Sequence, residues 1–198
     1  NMYGEYFFIP SLSVKVRIGA DLNNSQRSFW IDPSTLTGAS YKGYADVRDG
    51  KRGYYLLEGT VNYNKSFGIH RLTAVAGATY ERYTSSSLVA NARSFVLPDL
   101  TYYGLNAGDP TLNGVNNGAQ ENILLSYLAR VNYSLSDKYL FTASVRADGS
   151  ARFGPENRFG YFPSAAVAWK LKQESFLKDV RFIDDLKLRA SYGAIGNQ

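Results

Sequence analysis

Catalysis needs reactive side chains within reach of one another, and this sequence offers few. Its one histidine, His70, follows the turn-forming stretch Ser66-Phe67-Gly68, and it has no cysteine. A histidine-based nucleophilic triad or a thiolate metal site lacks material, so no metal and no cofactor are expected, and His70 reads as a solvated turn residue. Asp184 and Asp185 are adjacent carboxylates, but neighbours on a strand point to opposite faces, so they make no acid–base pair. No catalytic residue is expected and the sequence does not read as an enzyme. It does offer charge and rings. Arg146, Asp148, Arg152 and Arg158 crowd around one loop, while Trp30, Tyr41, Tyr44, Tyr102 and Tyr103 stand in polar, turn-prone stretches where rings can stack on a sugar or pack against a covering protein. Each group also has a plainer role: Arg146 and Asp148 pinning a strand end, and loop aromatics packing on themselves.

The elements that must position these groups are strands. Residues 139–148 alternate Tyr139, Phe141, Ala143, Val145 and Ala147 with Leu140, Thr142, Ser144, Arg146 and Asp148, a period of two. The same period runs through residues 12–22, 53–65, 70–84, 121–133, 161–171 and 186–192, which gives seven strands; residues 1–11 read as the end of another strand and a short connection. Tyr55, Tyr63, Tyr139 and Trp169 sit near the ends of the apolar faces, with small or β-branched residues between. An apolar band about 25 Å tall, with aromatic girdles where lipid meets water, marks a transmembrane barrel strand. A strand such as 161–171, at roughly 3.3 Å per residue and tilted about 40°, spans roughly 27 Å. The connections are lopsided. Those near Ser66 and Leu135 are tight, whereas residues 23–52 and 85–120 read as long loops, the asymmetry of short periplasmic turns and long extracellular loops. Residues 172–185 fall on the short side and are longer than that rule expects; within them 174–178 can make one helical turn.

Composition agrees with an all-β chain. Hydrophobic residues make up 44%, which excludes a disordered polymer, and 16 Tyr and 11 Phe against 1 Met favour strands. No apolar run reaches the roughly eighteen residues of a membrane helix, but barrel strands hide their hydrophobicity by alternation. The net charge of +5 is scattered without a basic cluster, so nucleic acid is not an expected partner. No export signal is visible at Asn1; either one has been removed or the polypeptide begins elsewhere. A secreted soluble β-sandwich, binding carbohydrate or serving adhesion, is the alternative to a barrel. A sandwich needs bulky residues on its inner face, and here the midstrand apolar positions are rich in Ala, Gly and Val.

From Leu135 onward the chain reads Ser136-Asp137-Lys138-Tyr139-Leu140-Phe141-Thr142-Ala143-Ser144-Val145-Arg146, then Asp148-Gly149-Ser150 with Arg152-Phe153-Gly154 and Asn157-Arg158, then Gly160-Tyr161-Phe162-Pro163-Ser164. In these motifs it resembles the SusC/RagA-type TonB-dependent outer-membrane transporters of Bacteroidota. The likeness continues through Ala168-Trp169, Leu186-Lys187-Leu188-Arg189-Ala190-Ser191-Tyr192-Gly193 and Gly196-Asn197-Gln198, with looser matches at Tyr63-Asn64-Lys65-Ser66-Phe67-Gly68 and His70-Arg71-Leu72-Thr73. The resemblance implies an antiparallel transmembrane barrel of about 22 strands, integral to the outer membrane. It implies import of glycans, oligosaccharides or peptides, energised through TonB, under a SusD-like surface lipoprotein. On that view residues 1–198 are a partial barrel domain from the middle of a larger polypeptide, with the plug, the TonB-contacting segment and the closing strand outside them. Arg146, Asp148, Arg152, Arg158, Trp30, Tyr102 and Tyr103 become candidates for substrate or lid contact, and Tyr55, Tyr63, Tyr139 and Trp169 for the membrane girdle.

Overall fold

The computed structural model describes residues 1–150, 159–178 and 180–194. Alternating sequences satisfy their backbone donors and acceptors by pairing side by side. Eight strands form one sheet in sequence order: β1 (Met2–Ile9), β2 (Leu12–Ile31), β3 (Tyr44–Phe67), β4 (His70–Arg93), β5 (Gly114–Leu135), β6 (Tyr139–Ser150), β7 (Phe159–Lys170) and β8 (Lys187–Gly193). The sequence expectation of seven is corrected to eight because residues 2–9 form a full strand, pairing antiparallel with β2 from Met2 opposite Ile18 to Ile9 opposite Leu12. A single sheet gives the apolar face no second sheet to pack on, so the sandwich alternative finds no support.

A second correction concerns the loops. Residues 23–52 and 85–120 are mostly strand: β2 runs on to Ile31, β3 begins at Tyr44, β4 ends at Arg93 and β5 begins at Gly114. Asn23-Asn24-Ser25-Gln26-Arg27-Ser28 has no apolar alternation to reveal a strand, yet ladder hydrogen bonds belong to the backbone and need none. What remains between strands is residues 32–43, with the short helix α1 (Leu36–Tyr41), and residues 94–113, with two 3₁₀ turns, Pro98–Tyr103 and Leu105–Ala107.

The chain divides into two compact units. The first comprises Asn1–Gly19, Tyr55–Glu81 and Ile123–Gln198; the second, Ala20–Tyr54 and Arg82–Asn122. In the first, register places apolar side chains directly opposite one another: Tyr133 opposite Phe141, Phe141 opposite Val167, Val167 opposite Ala190, and Trp169 opposite both Tyr139 and Leu188. These residues nonetheless lie open, with Phe141 46%, Val167 48% and Leu188 61% exposed. Among the described residues no protein layer covers this broad apolar face. Tight turns join the strands on one side: Gly68 takes φ 59° after β3, and Ser136 and Asp137 take φ 52° and 55° after β5, a left-handed pair within a three-residue connection. The connection from β7 to β8 is longer, as expected, and holds a 3₁₀ turn, Leu171–Gln173, and the helical turn α2, Ser175–Lys178.

In the second unit the arrangement inverts. Among the described residues, the buried hydrophobic side chains of the chain are Ala45, Ala92 and Phe95, all here, with Trp30, Tyr102, Leu105 and Ala107 packed around them. Trp30 and Phe95 meet edge to face at 4.8 Å. Thr35 caps α1 by accepting from the Gly38 N–H at 3.0 Å. After the helix Lys42 and Gly43 turn left-handed, at φ 50° and 88°, and a Cβ on Gly43 would sit 2.9 Å from the Trp30 ring. The two loops then bind each other, Ser94 N–H to Tyr41 O at 2.9 Å and Phe95 N–H to Lys42 O at 3.0 Å.

Candidate functional site

Strand pairing decides which polar groups meet in the first unit. Arg146 and Asp148 are two apart on β6 and share a face; Ser126 on β5 is the residue directly opposite Asp148. Arg146 Nε donates to both carboxylate oxygens of Asp148, at 2.7 and 2.8 Å, and its Nη2 donates to Ser126 Oγ at 3.1 Å. Asp148 is 7% exposed and Ser126 2%, whereas the Arg146 side chain is 44% exposed. Arg146 is thus held by a buried carboxylate and hydroxyl while presenting part of its guanidinium. The arrangement pins the strand end and can offer charge-assisted hydrogen bonds to an anion or a sugar hydroxyl. Ser126 was not readable as a partner because the register of β5 against β6 exists only once the hairpin folds. Arg152 and Arg158 lie outside the described residues.

The second unit repeats this motif in reverse order along the chain. Arg48 Nε donates to Asp46 Oδ1 at 2.6 Å, with Asp46 4% exposed. That hydrogen bond, and then the carboxylate's charge, raise the Arg48 pKa above its ordinary value. Nearby strands enclose a polar depression of about 470 Å³ whose lining includes Ser25, Arg52, Tyr83, Ser85, Ser87 and Gln120. Hydroxyls, an amide, a ring and a guanidinium are the groups that bind polyhydroxylated or peptide ligands. No alternation of apolar residues marks these positions in the sequence.

The loop aromatics separate into two kinds. Trp30 ends β2 and packs into the small core, as does Tyr102. Tyr103, 84% exposed, lies with its ring centroid 4.4 Å from that of Tyr102 and accepts the Tyr102 hydroxyl at 3.4 Å, which raises the Tyr102 pKa. Tyr41 and Tyr44 flank Arg93, whose guanidinium lies 5.0 and 5.6 Å from the two ring centroids. Tyr103 is the most open ring of the group, and Tyr41 is also exposed, beside Arg93.

Of the candidate girdle residues, Tyr139 and Trp169 are cross-strand partners stacked at 6.1 Å, and both donate to Glu174 Oε1, at 2.8 Å from Tyr139 Oη and 3.1 Å from Trp169 Nε1. Lys138 Nζ reaches the other oxygen at 3.2 Å. The hydrogen bond from Tyr139, then that from Trp169, hold the Glu174 pKa below its ordinary value. Tyr55 is 40% exposed and Tyr63 half-buried. His70 is not a solvated turn residue: half-buried, it stacks on Phe67 at 5.3 Å and on Tyr133 at 5.9 Å, and its Nδ1 lies 2.6 Å from Tyr133 Oη. The sequence hides this because residues 70 and 133 belong to different hairpins. Among the described residues no group of three or more His, Cys, Asp or Glu could hold a metal.

Comparison with known proteins gives this geometry its context. A family model described as "TonB dependent receptor-like, beta-barrel" matches residues 4–197. TonB-dependent receptor P3 of Formosa agariphila is 38% identical over 197 residues, and TonB-dependent receptor SusC of Bacteroides thetaiotaomicron 33% identical over 195 residues, covering 100% and 98% of this chain. Among solved structures, that of the RagAB peptide importer in its 'closed-closed' state matches 99% of this chain at a TM-score of 0.89 with 27% identity. The chain spans about a fifth of the length of each, 20% of P3, 19% of SusC and 22% of the RagAB chain. An eight-stranded antiparallel sheet whose apolar face has no protein cover fits this placement, and the chain belongs to the TonB-dependent receptor β-barrel family of the outer membrane, among its SusC- and RagA-like members.

Proposed function

We propose that these residues form part of the barrel wall of an active outer-membrane importer of glycans, oligosaccharides or peptides. The observation that carries this is the two-faced sheet of the first unit: one face apolar and open, the other holding the Arg146–Asp148–Ser126 network. Such a sheet is stable where lipid covers one side and a polar lumen the other. The relatives named SusC and the RagAB peptide importer support the import reading.

On this reading TonB supplies the energy through a plug and contact segment outside residues 1–198, a SusD-like lipoprotein covers the extracellular mouth, and further strands close the barrel. The segment contacts its cargo without transforming it. Arg146, Asp148, Arg152, Arg158, Trp30, Tyr102 and Tyr103 are proposed for the mouth, where Tyr103 and the partly open Arg146 have side-chain surface to offer. Tyr55, Tyr63, Tyr139 and Trp169 are proposed as girdle anchors. The test is uptake of fluorescent oligosaccharide and peptide mixtures by cells carrying the full-length protein, with and without TonB. Accumulation that needs both supports the proposal; accumulation unchanged when either is deleted overturns it.

A further inference from the structure

The apolar face of the first unit is not uniform. Between β6, β7 and β8 it sinks into a depression of about 440 Å³ lined by Tyr139, Phe141, Val167, Trp169, Leu188 and Ala190. Small residues make the hollow: Ala190 stands opposite Val167, so the face falls away diagonally from Trp169 and its cross-strand neighbour Leu188. At one end the hollow meets charge. The two rings that line it, Tyr139 and Trp169, are those that donate to Glu174, and Glu174 in turn binds Lys138. One apolar slot therefore ends at a carboxylate and an ammonium 3.2 Å apart, with side chains 15% and 31% exposed.

Neither group has its full set of hydrogen bonds. A carboxylate accepts about four hydrogen bonds and a lysine ammonium donates three. Glu174 accepts three, from Tyr139, Trp169 and Lys138, and among the described residues Lys138 Nζ makes one, to Glu174. On the outer-membrane reading, the tight turns of this sheet put this end at the periplasmic boundary, where phospholipid headgroups lie.

We infer that this slot binds one phospholipid of the zwitterionic, primary-ammonium class: an acyl chain lies over Ala190 against Trp169 and Leu188, the phosphate meets Lys138, and the ammonium donates to Glu174. A choline headgroup has no N–H to donate and a glycerol headgroup has no cation, so each satisfies only part of the site. The inference rests on the outer-membrane placement and is independent of what the barrel imports. It gives the long connection between β7 and β8 a use, since that connection brings Glu174 to the girdle.

The test is native mass spectrometry of the full-length protein, delipidated in detergent and then given phosphatidylethanolamine, phosphatidylcholine or phosphatidylglycerol in turn. The expected result is one phosphatidylethanolamine retained per chain, at least several-fold over the other two. Glu174→Gln keeps the size and an acceptor oxygen and is expected to erase the preference, while Ala190→Phe fills the slot and lowers retention of every lipid. Heat-modifiable migration on gels reports that each variant is folded. Equal retention of the three lipids by the wild type, or a preference for phosphatidylethanolamine that survives in both folded variants, overturns the inference.

Discussion

The two units of this chain solve opposite problems with the same strands. In the first, large apolar side chains such as Tyr127, Phe141 and Leu188 are open and the buried side chains include Ser126 and Asp148; in the second, Phe95, Ala92 and Ala45 are buried and the strands around them are polar on both faces. A core is needed only where water is the solvent. Where lipid tails meet the sheet, burying apolar residues within protein gains little, and the fold is held by its ladder and by polar contacts on the other face. The difference predicts where a given substitution hurts.

The largest effect is expected in the small core. Phe95→Ala removes a ring packed on Trp30 and loses about 3–5 kcal/mol of local stability. Limited proteolysis should then cut residues 32–43 and 94–113 readily, while heat-modifiable migration of the barrel stays as in the wild type. A barrel that melts earlier by the same amount would show that the two units are not energetically separate. Next comes Val145→Arg on the open apolar face, expected to cost about 2–4 kcal/mol in urea titrations of protein folded into vesicles. Ser86→Arg, on a polar strand of the second unit, should be near neutral. Similar costs for the two would remove the distinction in solvent.

The same difference decides what the sequence could reveal. Alternation of Tyr139, Phe141, Ala143 and Val145 with Thr142, Ser144 and Arg146 exposed the strands of the first unit because its two faces meet different solvents. Residues 23–28 and 85–87 carry polar side chains on both faces, so their pairing left no period to find and they read as loops. β1, with Tyr3, Tyr6, Phe7 and Phe8 near Pro10, was legible only as the end of a strand. At the candidate site the Arg146–Asp148 pair was visible as spacing along one strand. Ser126, His70 with Tyr133, and Glu174 with Trp169 were not, because each depends on a register or on a connection folding back. The aromatic loops were legible as aromatic, but their sequence did not separate half-buried Tyr102 from open Tyr103.

The matched ion pairs allow a finer comparison. Asp148→Ala takes from Arg146 the two-oxygen acceptor that holds its Nε, while buried Ser126 Oγ still accepts from Nη2, and a loss of about 1 kcal/mol is expected once the half-exposed guanidinium is discounted. Arg146→Lys keeps the charge and loses the two-oxygen fork, so a structural pin should weaken in the same direction. If Arg146 also touches cargo, Arg146→Lys lowers uptake affinity more than Asp46→Ala does, measured on cells with equal amounts of folded protein. Equal affinity in both variants would confine Arg146 to holding the strand end.

The smallest effect is in acid, and it too divides by unit. Tyr139, Trp169 and Lys138 lower the pKa of Glu174 from its ordinary 4.5, while hydrogen bonds from Ser34 and Thr111 lower those of Asp32 and Asp109 from 3.8. A carboxyl whose folded pKa is depressed contributes stability in full above its unfolded value and loses it as pH falls through the folded one. Wild type should therefore exceed Glu174→Gln in protection of the β7–β8 connection at pH 7, and the gap should close as pH drops below 4.5. Asp32→Asn should show the same closing gap in residues 32–43, beginning only below 3.8. Hydrogen exchange followed across this range measures both. A gap at Glu174 that stays constant into strong acid would mean that the residue acts there by shape, with its charge contributing nothing, and would leave Lys138 without a partner whose ionisation matters.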